Sequence, residues 1–90
     1  MRARRRPVRP LTPLQAQVLG VIHDERAPSA SEVGRHLLIG VDRARGALRG
    51  LEGRGLVDRV YSDRPRGHGY TLTDEGEAAY QAAWPAEGGE

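Results

Sequence analysis

The sequence predicts a small, mainly α member of the α+β class: a three-helix core, a β-hairpin and a short C-terminal helix. Three observations predict it. Apolar residues recur at helical spacing in three stretches before Gly55, each opened by a capping residue or a glycine. From Leu56 the pattern turns to strand-like alternation on either side of a cluster of turn formers. Thr73, followed by Asp74 and Glu75, then opens one more helical stretch. At 90 residues the chain supports a single core, and oligomerisation would add buried surface.

Residues 1–10 place Pro7 and Pro10 among arginines without apolar periodicity and read as a flexible basic arm. The domain proper is expected over residues 11–84, with a disordered tail at 85–90. Thr12-Pro13-Leu14-Gln15 has an N-cap, a proline at the first helical position and a glutamine placed to close a capping box. Leu14, Val18 and Ile22 form the inward stripe of the first helix. His23 reads as a partly exposed helix-terminal histidine with no assigned role. Ser29 and Glu32 repeat the capping box, and a second helix is expected from Ala30 to Leu37 with Val33 and Leu37 inward.

Leu38-Ile39-Gly40 is too short for a strand and sits where the chain must reverse; Gly40 can take positive φ or cap the next helix. Ala44, Leu48 and Leu51 mark the buried stripe of that third helix, leaving Asp42, Arg43, Arg45, Gly46 and Arg49 outward. Arg54 closes the last turn, where a cation suits the dipole, and Gly55 is a C-cap glycine. Gly46, Gly50 and Gly53 each cost about 1 kcal/mol of helix propensity relative to alanine. Gly46, on the outward face, suits close approach to a groove; composition accounts equally well for the other two.

Leu56 to Tyr61 is apolar and β-branched enough for a strand, Ser62 to Gly69 is the turn, and Tyr70-Thr71-Leu72 returns. Gly67 and Gly69 give the tip conformational freedom. So short a hairpin needs the helical core beneath it, through Val57, Tyr61, Tyr70 or Leu72. Thr73 caps the last helix, which carries Ala79, Tyr80 and Ala83 in a weak stripe and stops near Trp84 because Pro85 bars continuation. Trp84 either covers the core or joins Tyr80 and Ala83 in a dimer contact.

Composition excludes several classes. With no cysteine and three dispersed histidines, neither a disulfide framework nor a metal site is expected, and no cofactor is implied. No apolar run has the length of a membrane span or signal core, so a cytoplasmic location without membrane partners is expected. Nothing forms a catalytic constellation, and an enzyme is not expected. The formal charge of +2 hides a segregation: residues 1–9 carry five arginines and no acid, and residues 74–90 carry five acids and no base. One end suits a polyanion and the other avoids it. All fourteen basic residues are arginine, which GC-rich coding would also produce, so position says more than residue type.

Two helices followed by a third with arginines opposite its apolar stripe match helix-turn-helix geometry, in which that helix enters the major groove of duplex DNA. Arg43, Arg45 and Arg49 are the expected base and phosphate contacts. Arg64 and Arg66 at the hairpin tip reach a flanking minor groove or the backbone. The arm, through Arg4, Arg5, Arg6 and Arg9, either lies along phosphates or remains a solvated tail.

The run Leu48-Arg49-Gly50-Leu51-Glu52-Gly53-Arg54-Gly55-Leu56-Val57, with Gly69-Tyr70-Thr71-Leu72-Thr73-Asp74-Glu75-Gly76, resembles the winged helix-turn-helix transcriptional regulators of the MarR and PadR type. The likeness covers roughly Leu11 to Ala83. It implies major-groove positions at Val41, Asp42, Arg43, Arg45, Gly46 and Arg49, and wing-tip contacts at Arg64 and Arg66. Two departures stand out: Gly40 occupies the usual Ser or Thr N-cap, and Gly46 a place that often carries a longer side chain. The resemblance implies a sequence-specific, double-stranded DNA-binding regulator, a homodimeric repressor paired through Tyr80, Ala83 and Trp84. Ligand sensing between DNA-binding and dimerisation regions is not expected from so short a chain. The alternatives are an architectural, replication or partition DNA-binding protein, and a winged helix that contacts another protein.

Overall fold

The computed structural model describes residues 10–61 and 68–85. The arm residues Arg4, Arg5, Arg6 and Arg9, the tip residues Arg64 and Arg66, and the chain after Pro85 lie outside the described residues. The elements run α1 (Pro13–Asp24), α2 (Ala30–Leu37), α3 (Val41–Gly53), β1 (Val57–Tyr61), β2 (His68–Leu72) and α4 (Asp74–Ala83). Among these helices none is long and apolar enough to cross a membrane.

Local chemistry opens three of the four helices. Thr12 and Gln15 form a capping box at α1, with Pro13 in the first turn. Ser29 and Glu32 do the same at α2: Glu32 N–H donates to Ser29 Oγ at 3.2 Å, and Ser29 N–H donates to Glu32 Oε1 at 2.8 Å. Thr73 Oγ1 accepts from Gly76 N–H at 2.9 Å to open α4. At α3, Gly40 stands in the N-cap position with no side-chain bond.

The inward stripes meet in one core. Val18, Leu19, Val33, Leu48 and Leu51 are fully buried, Val57 nearly so, and Tyr70 brings an aromatic ring from the hairpin. Each such side chain withdrawn from water contributes roughly 1.5–3 kcal/mol. The hairpin is antiparallel, with register from Val57–Leu72 to Tyr61–His68. It is anchored to the α1–α2 connection as well, since Tyr70 N–H donates to Pro28 O at 3.0 Å.

Several expectations are corrected. The second strand starts at His68, two residues before the alternation at Tyr70 suggested. Gly69 lies inside that strand and is buried: a Cβ there would strike the Ala27 carbonyl, so its lack of a side chain serves close packing and not freedom at the tip. Tyr61 is not a core anchor, being 88% exposed at the outer end of β1. Gly40 is extended, with φ −70°; the left-handed residue of the α2–α3 turn is Leu38, at φ 59°. Gly50, which composition alone could explain, borders α1, where a Cβ would come 3.0 Å from Gln15 Nε2. Arg54 does more than complement a dipole: its guanidinium donates to Gln15 Oε1 at 3.3 Å and to Pro10 O at 3.4 Å, tying the end of α3 to the start of α1.

α4 folds back over α1. The Trp84 indole N–H donates to Ala16 O at 2.9 Å, its ring lies over Gly20, and Tyr80 stacks on His23 with ring centroids 3.9 Å apart. Two of the three residues expected at a dimer contact are thus engaged within the chain, while Ala83 is exposed.

Candidate nucleic-acid interface

Three buried residues, Ala44, Leu48 and Leu51, fix how α3 is rotated. At 3.6 residues per turn, the direction opposite that stripe is occupied by Asp42, Gly46, Arg49 and Gly53, all exposed. Arg43 and Gly50 flank this outer line on the side of α1, and Arg45 flanks it on the side of the hairpin. Val41 is half-buried in the first turn. All six positions expected on α3 therefore share its first two turns and a half, but only Asp42, Gly46 and Arg49 lie on the outer line; Arg43 and Arg45 flank it on opposite sides and Val41 is half-buried.

The outer line is open. Around Gly46 and Gly53 no atom would lie within 4 Å of an added Cβ, so nothing in the described chain covers the middle of the helix. A rod with a bare centre and guanidinium groups at its edges can approach a groove floor closely while reaching its walls. Asp42 is not isolated among these cations: Arg45 Nη1 lies 3.4 Å from Asp42 Oδ1, a pair in which the carboxylate side chain is 97% exposed. Such a solvated i,i+3 contact is weak, so Arg45 keeps its freedom to move.

The hairpin is held against α3 by a stronger link. Arg59 on β1 faces Glu52 with both Nε and Nη2 at 3.3 Å from the carboxylate, a forked geometry on a half-buried partner. The partner of Glu52 comes from a strand seven residues on, which no periodicity reveals. The link ties β1 to the last turns of α3.

A family model described as MarR family matches residues 9–66. The chain belongs to the MarR family. In fold, this MarR-family chain is similar to a MarR-family transcriptional regulator from Silicibacter pomeroyi, at 27% identity and TM-score 0.73, over 83% of this chain and 51% of that one. It is similar to the YusO protein from Bacillus subtilis at 23% identity and TM-score 0.75, covering 81% of this chain and 52% of that one. The S. aureus MepR–DNA complex aligns at 22% identity and TM-score 0.72, over 79% of this chain and 52% of the other. The chain spans about half the length of these solved structures. No curated protein sequence matches it.

Proposed function

We propose that this MarR-family chain binds duplex DNA sequence-specifically and regulates transcription, acting as a homodimeric repressor. The observation that carries the reading is the uncovered outer line of α3, with its bare centre at Gly46 and Arg43, Arg45 and Arg49 around it. Val41 and Asp42 stand in the first turn, where unpaired N–H groups and the positive end of the helix dipole favour phosphate. Arg64 and Arg66 extend the contact beyond the hairpin, and the arm adds Arg4, Arg5, Arg6 and Arg9. Its root supports that role, because Arg54 holds Pro10 beside the end of α3. One similar fold was solved as a complex with DNA, which agrees with the reading. Repression follows if the occupied site overlaps that of the polymerase, and dimerisation would employ the exposed side of α4 around Ala83.

Selection from a random duplex library tests the proposal. Wild type is expected to enrich a palindromic site with steep salt dependence, and Arg49→Ala to lose about 1–3 kcal/mol of discrimination at the base it reads. An unchanged enriched site and affinity for both Arg43→Ala and Arg49→Ala would remove α3 as the reading helix. A monomer at micromolar concentration in sedimentation, with and without the selected duplex, would remove the homodimer.

A further inference from the structure

We propose that the depression bounded by the first turn of α2, by α3 and by β2 seats one backbone phosphate of the duplex, and that Arg45 serves this phosphate rather than a base edge. This rests on the DNA-binding reading above and assigns a specific part of that surface. The depression has a volume of about 350 Å³ and is lined by Ser29, Ala30, Ser31, Arg45, His68 and Tyr70. None of these six carries a carboxylate.

Tyr70 decides the matter. The residue is almost wholly enclosed, at 9% exposure, and its backbone N–H is committed to Pro28 O. Yet the phenol hydroxyl makes no hydrogen bond among the described residues, and it is not sealed from solvent either. A hydroxyl without a protein partner in so enclosed a residue takes its hydrogen bonds from water or from a ligand that displaces it. The other residues lining the depression say which ligand fits. The α2 capping box employs the N–H groups of Ser29 and Glu32, leaving those of Ala30 and Ser31 without intrahelical acceptors at the positive end of the helix. Ser31 adds a hydroxyl, His68 an imidazole and Arg45 a guanidinium whose one contact among the described residues is the exposed pair with Asp42. Every lining side chain with a polar group can donate, and the single ligand group that accepts from many donors and carries charge on a duplex surface is a phosphodiester.

The placement agrees with the rotation of α3. Arg45 leaves the helix toward the hairpin, away from the outer line of Asp42, Gly46, Arg49 and Gly53. A guanidinium on that flank meets the wall of a groove when the outer line meets its floor. Base reading then falls to Asp42 and Arg49 on the outer line, and Arg45 sets how deeply α3 enters.

Tyr70→Phe removes one oxygen and keeps the core ring, and Arg45→Ala changes an exposed side chain. For full-length protein on duplexes of varied sequence, Tyr70→Phe is expected to weaken binding about tenfold on all of them. Arg45→Ala is expected to lower the slope of log affinity against log salt by about 1 without changing the preferred site. Ethylation of one particular phosphate should weaken wild type but not Tyr70→Phe. Wild-type affinity in Tyr70→Phe, or an altered base preference in Arg45→Ala, overturns the assignment while leaving α3 as the reading helix. Saturable binding of inorganic phosphate that Tyr70→Phe abolishes, with its duplex affinity unchanged, overturns the backbone as the source. Failure of wild type to bind any duplex defeats the reading of α3 itself, and this site with it.

Discussion

The turns that precede and follow α3 share one backbone pattern, closing α2 and α3 respectively, and are treated in opposite ways. Before it, Leu38 N–H donates to Arg35 O and Ile39 N–H to Gly34 O around the left-handed Leu38. After it, Gly55 N–H donates to Glu52 O and Leu56 N–H to Leu51 O around the left-handed Gly55. Both are Schellman closures. The second is welded into the molecule: Thr73 Oγ1 donates to Gly55 O at 2.7 Å, Thr73 N–H donates to Leu56 O at 3.1 Å, and Gly76 packs directly on the Leu56 carbonyl. The first end is bare, with Leu38 90% exposed and Gly40 offering no cap. Rigid at its rear and undressed at its front, α3 presents to a partner the end whose own bonding is least complete.

The contrast can be broken most forcefully at the rear. Gly76→Ala drives a methyl group into the Leu56 carbonyl and is expected to cost about 3 kcal/mol, read as a lower urea midpoint. Thr73→Ala loses both the α4 cap and the bond to Gly55, about 2 kcal/mol together; a thermal shift no larger than that of an exposed alanine substitution on α4 would contradict the weld. Gly55→Ala places a Cβ where nothing crowds it, so its expected loss of about 1 kcal/mol is purely conformational.

At the front the signs reverse. Leu38→Gly relieves left-handed strain that exceeds the entropy glycine adds to the unfolded chain, a gain of about 0.5 kcal/mol; destabilisation in a denaturant titration would show that Leu38 has a hidden contact. Smallest is Gly40→Ser, which supplies the missing cap for about 0.3 kcal/mol, visible as slower amide exchange in the first turn of α3.

Much of this could be read from the residues because the causes are local. The Thr12–Gln15 and Ser29–Glu32 boxes, the Thr73 cap and Gly55 act within four residues of themselves, and the structure has them where the sequence indicated. Leu38 could not be read, since leucine carries no turn signal and adopts φ 59° only because α2 and α3 must meet there. Gly69 and Gly76 were equally opaque, their reasons lying on Ala27 and Leu56 across the fold. The exposed arginines of α3 were legible as a group. Their division between outer line and hairpin flank was not, because it depends on where the hairpin docks, as does the Tyr70 hydroxyl, which has no hydrogen-bond partner among the described residues.

The Trp84 indole, bonded to a carbonyl 68 residues earlier, makes the chain its own optical gauge. It is the only tryptophan in the sequence, so emission excited at the red edge of the indole band, beyond tyrosine absorption, comes from the point where the last helix closes on the first. Far-ultraviolet dichroism follows the helices wherever they are, whereas this signal follows only that closure. Superimposable unfolding curves from the two would make α4 part of one cooperative unit; an earlier fluorescence transition would reveal it as a latch that opens while the three-helix core stays folded.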